Sequence, residues 1–353
     1  MKQKIAFHWP RRNYTRIYIL IASISVAIVG VIGMNDSRAS TSTIALEPET
    51  ATIGSNVTVV SDSAASGGKA VNFGGKIVWK ADASAPMEAE WSSLGTHTEC
   101  AVVTMPGQTS QRFSQVAETN PSPTGRFYRG NILNADNCYN SRAELGQGNP
   151  VKTFTDGTGD RIFREGEDRW ISFAHRLAPN YPINNTKWAL LHQWKQTATY
   201  GGPYGNPILS MNAYNGKYRM WGPGYSELNE QNPPTGQFGS WGVDFAMNPS
   251  LDSWHLFTMH VKWSPDPSKG YVELFGNLSD GKGWRTLITG RNVATMKIND
   301  EGGSGEPIPT YARTGIYRNE TYIDNTYLDI SGYTVGTTRS TTESNAFRAE
   351  FQP

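Results

Sequence analysis

Charge is scarce in this 353-residue chain: Asp, Glu, Lys and Arg together make up only 18% of it. The signs nearly cancel, with 32 Lys and Arg against 31 Asp and Glu, so the formal net charge is +1. That balance speaks against a general nucleic-acid binder, which needs an excess of basic side chains. Cysteine is nearly absent. Cys100 and Cys138 are the only two, and neither has a CxxC or histidine partner at zinc spacing, so no metal site is expected. The helix-forming composition of a coiled coil is missing as well. Long apolar runs are confined to one place, the N-terminus.

What the chain has instead is uncharged polarity and aromatic mass. Mean hydropathy is −0.50, carried by Ser, Thr, Asn, Gln and 36 glycines. Eleven Trp, 16 Tyr and 13 Phe suit a β-sandwich core and platforms that stack on sugar rings.

Lys2, Lys4, Arg11, Arg12 and Arg16 precede an uncharged run from Ile17 to Asn35, and the first acid is Asp36. A basic flank before an apolar run enters the export machinery with its positive end inside. Residues 1–39 are therefore expected to be a signal peptide or an uncleaved membrane anchor, with everything beyond about residue 40 secreted or held at the cell surface. Export also predicts a Cys100–Cys138 disulfide, worth about 3–4 kcal/mol by loop closure; two buried thiols are the alternative. A membrane is expected to meet the chain only through its N-terminal segment.

Residues 40–75 read as a Ser/Thr-rich linker with a short β-hairpin, and 76–353 as the main domain. In that body, β-type runs alternate with Gly- and Pro-rich turns: Lys76–Lys80, Trp170–His175, Trp188–Gln196, Ile208–Tyr214, Lys217–Trp221, Trp254–Trp263, Tyr271–Phe275, Thr314–Tyr317 and Tyr327–Tyr333. No stretch holds a helical apolar period beyond a couple of turns. The pattern predicts an all-β sandwich, whose long loops wall a binding groove.

Three segments carry candidate chemistry. In Arg142-Ala-Glu144-Leu, strand alternation places Arg142 and Glu144 on one face; the pair is either a rigid fork for an anion or an ordinary surface ion pair. In His192-Gln193-Trp194-Lys195, Gln193 and Lys195 share a face while His192 and Trp194 take the other. A desolvated Lys195 can act as a base; a solvated strand end is the plainer alternative. In Tyr311-Ala-Arg313-Thr-Gly315-Ile-Tyr317-Arg318, the residues Tyr311, Arg313, Gly315 and Tyr317 face one way. A mid-strand glycine there leaves room for a ligand at the backbone.

In order and spacing, these segments resemble the jelly-roll polysaccharide lyases, in particular the heparin-lyase-I-like group with its alginate and glucuronan lyase relatives. Alginate lyases of this architecture carry an R(S/T)EL strand, a Q(I/V)H strand and a YFKAG(I/V)YNQ strand. Their counterparts here are Arg142–Leu145, Gln193–Lys195 and Tyr311–Arg318. The resemblance spans roughly residues 76–340. It implies a β-jelly roll of the concanavalin-like kind, with a concave groove for an acidic polysaccharide that is cut by β-elimination. Gln193 and Arg142 would neutralise the uronate carboxylate, and Tyr317 would serve as base and acid. Arg313, Arg318, Tyr311, Glu144 and His192 would line the substrate. Lys195 stands where the family has histidine, as a base or as a cationic clamp. No cofactor is implied, a structural calcium finds no recognisable loop, and a monomer is expected. The rival is a non-catalytic, lectin-like jelly roll. A glycoside hydrolase needs flanking carboxylates, and Glu165-Gly-Glu167-Asp-Arg169 lacks the last acid of the usual pattern.

Overall fold

The computed structural model describes residues 57–61, 69–91, 93–98, 101–104, 112–117, 122–133, 142–147, 162–196, 207–222, 241–298 and 306–353. The chain divides into two compact units, 1–74 and 75–353. In the first, β1 (Val57–Ser61) and β2 (Lys69–Phe73) pair as an antiparallel hairpin. Cys100, Cys138 and the N-terminal apolar run lie outside the described residues.

In the second unit, the first four strands are β3 (Ile77–Ala81), β4 (Ser93–Thr98), β5 (Ala101–Thr104) and β6 (Phe113–Ala117). A single helical turn, α1 (Met87–Glu90), follows β3. Next come β7 (Arg126–Ile132), β8 (Arg142–Gly146), β9 (Asp168–Leu177) and β10 (Ala189–Gln196). The order continues with β11 (Leu209–Tyr214), β12 (Lys217–Trp221), β13 (Gly242–Met247) and β14 (Trp254–Lys262). The last strands are β15 (Tyr271–Asn277), β16 (Arg285–Asn292), β17 (Thr310–Arg318) and β18 (Thr326–Gly336), before helix α2 (Arg339–Ala346).

These strands form two antiparallel sheets. One runs β13-β12-β11-β10-β17-β8-β4-β5; the other runs β16-β15-β14-β9-β18-β7-β6, with β3 also on β18. Alternation builds the layer between them. Leu191, Trp194, Leu209, Met211, Ala213, Ala312 and Ile316 of the first sheet pack with Ile171, Phe173, Phe257, Met259, Val261 and Leu274 of the second. Burying each large side chain stabilises the sandwich by about 1.5–3 kcal/mol. This is the all-β sandwich anticipated from the strand pattern, built of two antiparallel sheets as the jelly-roll resemblance implies.

The parity of the first sheet is set partly at a turn. Asn215 (φ 52°) and Gly216 (φ 69°) join β11 to β12 in a two-residue loop, a connection that needs two left-handed residues and fixes hairpin register. Ser210 and Asn212 are thereby held on the face away from the core. Helix α2 was not anticipated because its sequence, RSTTESNA, is polar. It forms because Thr338 caps Thr341 N and because Ala346 and Phe347 pack against Trp254, Leu256 and Phe127 on the outer face of the second sheet.

Candidate active site

The three segments singled out in the sequence lie on β8, β10 and β17, and β17 is the strand in the middle. Gln193 pairs with Arg313 and Lys195 with Tyr311, while Tyr317 pairs with Arg142 and Gly315 with Glu144. Arg142, Glu144, Gln193, Lys195, Tyr311, Arg313 and Tyr317 therefore share the face turned away from the core. The expected alternation holds across all three strands.

The centre of this face is a buried carboxylate. Glu144, 1% exposed, accepts a hydrogen bond at Oε1 from Gln193 Nε2. Its Oε2 lies 3.1 Å from Arg142 Nε and 3.7 Å from Arg313 Nη1. The guanidinium of Arg142 also sits 3.7 Å from the centre of the Tyr317 ring, close enough for a cation–π contact. Trp188 meets the same ring edge-on at 4.9 Å. Tyr317 is thus clamped in place and half-buried. Arg313 Nε donates to the Tyr311 hydroxyl at 3.2 Å.

Lys195 is half-buried beside this set. Its amine is pulled down to about 8, first by burial and then by the positive charges of Arg142 and Arg313; Glu144 acts the other way and Lys297 adds to the depression. The ammonium is therefore near its titration point in mildly alkaline solution, a range in which an ordinary lysine stays fully charged.

Expectations at five residues need correction. His192 is completely buried and belongs to the core. A bulge lies between Leu190 and His192, yet it leaves the imidazole stacked on Trp194 at 4.2 Å, near Phe173 and Tyr333. Burial holds its basicity well below the ordinary value. Arg318 is 1% exposed and faces the other way, opposite Ala189, where Nη2 donates to the Asp324 carbonyl at 2.6 Å. Glu144 and Tyr311 are on the correct face but buried, and their polar atoms are engaged by neighbours, Glu144 by Gln193, Arg142 and Arg313 and Tyr311 by Arg313. Gly315 does not make room for a ligand. Its φ is +144°, and a Cβ there would lie 2.1 Å from the Ala143 carbonyl oxygen and 2.6 Å from Glu144 Cα; the space is taken by β8.

Two neighbours went unnoticed in the sequence. Ser210, opposite Gln193, and Asn212, opposite Leu190, extend the same face onto β11. Asn212 is fully buried, its Nδ2 donates to Ser210 Oγ at 3.1 Å, and its Oδ1 has no partner. The alternation Leu209-Ser210-Met211-Asn212-Ala213, with its apolar members in the core, was the available signal for their orientation. Among the described residues, no group of three or more His, Cys, Asp or Glu is placed to hold a metal ion.

The chain is similar to known polysaccharide lyases. A family model described as polysaccharide lyase matches residues 47–342. No curated protein sequence gives a significant match. Similar solved structures include an endo-β-1,4-glucuronan lyase from the fungus Trichoderma reesei, 15% identical, covering 70% of this chain and 96% of its own, with a TM-score of 0.43. An alginate lyase from Pseudomonas aeruginosa is 12% identical over 69% of this chain and 96% of its own, with a TM-score of 0.43. The alginate lyase A1-II′, a member of polysaccharide lyase family 7, is 12% identical over 69% of this chain and 92% of its own, at 0.45. Membership rests on the family model, which covers most of the chain; the heparin-lyase-I-like subgroup is a narrower assignment that stays with the motifs. The chain belongs to the polysaccharide lyase family.

Proposed function

We propose that this lyase cleaves a uronic-acid-containing polysaccharide by β-elimination on the outward face of β8, β10 and β17. One observation carries the proposal: Arg142, stacked on Tyr317, gathers with Gln193 and Arg313 around Glu144, Lys195 lies within the electrostatic reach of Arg142 and Arg313, and Glu144, the carboxylate of the cluster, is buried. Such a face attracts an anionic chain and can neutralise a carboxylate, which is what makes the adjacent C5 proton of a uronate acidic.

In this reading, Arg142 and Gln193 donate to the uronate carboxylate as it gains enediolate character. Tyr317 removes the C5 proton, the C4–C5 double bond forms, the C4–O4 bond breaks, and the proton passes from Tyr317 to the leaving O4. Lys195 acts as a cationic clamp on the uronate. The basic flank and apolar run at the N-terminus support export of the enzyme to where such polymers occur.

A panel of glucuronan, alginate, heparin-like and hyaluronan-like chains, read at the ultraviolet absorbance of the unsaturated uronate, tests the proposal. At least one acidic polymer should release absorbing product while neutral glucans release none. Tight binding of a polyuronide with no product from any member would assign the chain a glycan-binding role instead.

A further inference from the structure

We infer that Glu144 is the positioning residue of this site: its buried carboxylate holds Arg142, Gln193 and Arg313 in working order and sets the charge around Lys195. The inference rests on the reading of this face as the active site. It follows from four features of the geometry.

Glu144 is buried, and its two oxygens are turned towards Gln193, Arg142 and Arg313. An ionised carboxylate in that position is costly unless it is compensated, and it is, by one hydrogen bond from Gln193 on β10 and by the guanidinium charges of Arg142 on β8 and Arg313 on β17 at ion-pair distance. Those donors are groups that the elimination requires on the substrate's carboxylate. Glu144 thus acts on the reaction through them.

The bond to Gln193 also selects an orientation. An ionised carboxylate only accepts, so the end of the Gln193 side chain that faces Glu144 must be the amide nitrogen. The second N–H of that nitrogen is then left for a uronate oxygen. A neutral carboxamide at position 144 would accept or donate equally well, and Gln193 would lose this bias.

The bond crosses a strand. Glu144 lies on β8 and Gln193 on β10, with β17 between them, and the β17 residue opposite Glu144 is Gly315. With no Cβ at Gly315, β17 lies close against the β8 backbone at Ala143 and Glu144, which brings Glu144 towards β10.

The charges that face Lys195 complete the picture. Arg142 on β8, Arg313 on β17 and Lys297 after β16 oppose its protonation; Glu144 is the anion that favours it. The phenol of Tyr311 lies directly opposite on β17. Removing the Glu144 charge leaves the cations unbalanced.

The test is Glu144→Gln, which keeps size and shape, with Glu144→Asp as the charge-retaining control. In the absence of substrate, the pH dependence of Lys195 acetylation, followed by mass spectrometry, should move to lower pH by about half to one unit in Glu144→Gln and stay near the parent in Glu144→Asp. On the polyuronide that the parent cleaves, kcat of Glu144→Gln should fall about tenfold or more, the size expected for a disordered donor. If Glu144→Gln does not fold, Glu144→Asp still decides: it should keep the Lys195 titration while kcat falls, because the shorter side chain no longer spans to Gln193. A folded Glu144→Gln whose Lys195 titrates as in the parent and whose kcat is unchanged overturns the inference. A parent with no lyase activity would instead refute the proposed reaction, and the acetylation profile would still judge Glu144.

Discussion

The carboxylate of Glu144 accepts the carboxamide N–H of Gln193 across the whole width of β17, over the one residue of that strand, Gly315, that has no side chain. This contact ties together three strands far apart in sequence. It also explains why a glycine sits there: β17 approaches β8 so closely that a Cβ would collide with the Ala143 carbonyl.

Gly315→Ala should therefore be strongly destabilising. The φ of +144° is unfavourable for an L-residue and the new methyl meets backbone, so a loss of about 2–5 kcal/mol is expected from strain and overpacking together. Urea unfolding of the variant against the parent measures it. A loss below about 0.5 kcal/mol, the range of an ordinary surface change, would contradict the close approach of β17 to β8.

Tyr317→Phe retains the ring held between Arg142 and Trp188 and deletes only the hydroxyl. Thermal stability should barely move, while kcat on a cleaved polyuronide falls about 10²-fold or more. Near-normal turnover in the Phe variant would remove Tyr317 from the reaction.

Lys195 makes a prediction in two parts. Its folded-state pKa of about 8 lies below the usual 10.5, so the unfolded chain binds more protons between those values and stability should rise with pH across that window. Lys195→Gln should accordingly be more stable than the parent below pH 8, with the gain shrinking towards pH 10.5. On substrate, a clamp that discharges above about pH 8 makes the parent's KM climb with pH; the Gln variant should show a higher KM at neutral pH, and one that no longer depends on pH or salt in the same way. Unchanged KM with collapsed kcat would make Lys195 the base.

His192→Phe separates the core histidine from the family's catalytic one. Neither ring nitrogen of His192 has a hydrogen-bond partner, and replacing an unsatisfied buried ring by an apolar one of similar shape is neutral or stabilising. The variant should keep its activity and match or exceed the parent in Tm. A folded His192→Phe enzyme without activity would place His192 back in the site.

Alternation in the sequence was enough to put Arg142 with Glu144, Gln193 with Lys195, and Arg313 with Tyr317, because a strand's side chains have a period of two and the bulge in β10 lies before Gln193. The sandwich architecture was legible for the same reason, in strands bounded by Gly- and Pro-rich turns. The polar helix α2 was not, since it depends on the Thr338 cap and on Ala346 and Phe347 docking against a sheet built from distant residues.

Which of the correctly faced residues reach the surface was beyond the sequence. Arg142 and Arg313 keep 15% and 14% of their side chains exposed, whereas Glu144, Gln193 and Tyr311, on the same face, are buried. Periodicity assigns a side but not a depth. Arg318 and His192 show the limit from the opposite direction: charge and imidazole suggested a ligand, and the fold placed both inside. The sequence by itself determined the strands, their faces and the chemical types available. Only tertiary structure decided that β17 would run between β8 and β10, that Gly315 would let Glu144 reach Gln193, and that one buried charge would organise the site, because those contacts join residues up to 175 positions apart.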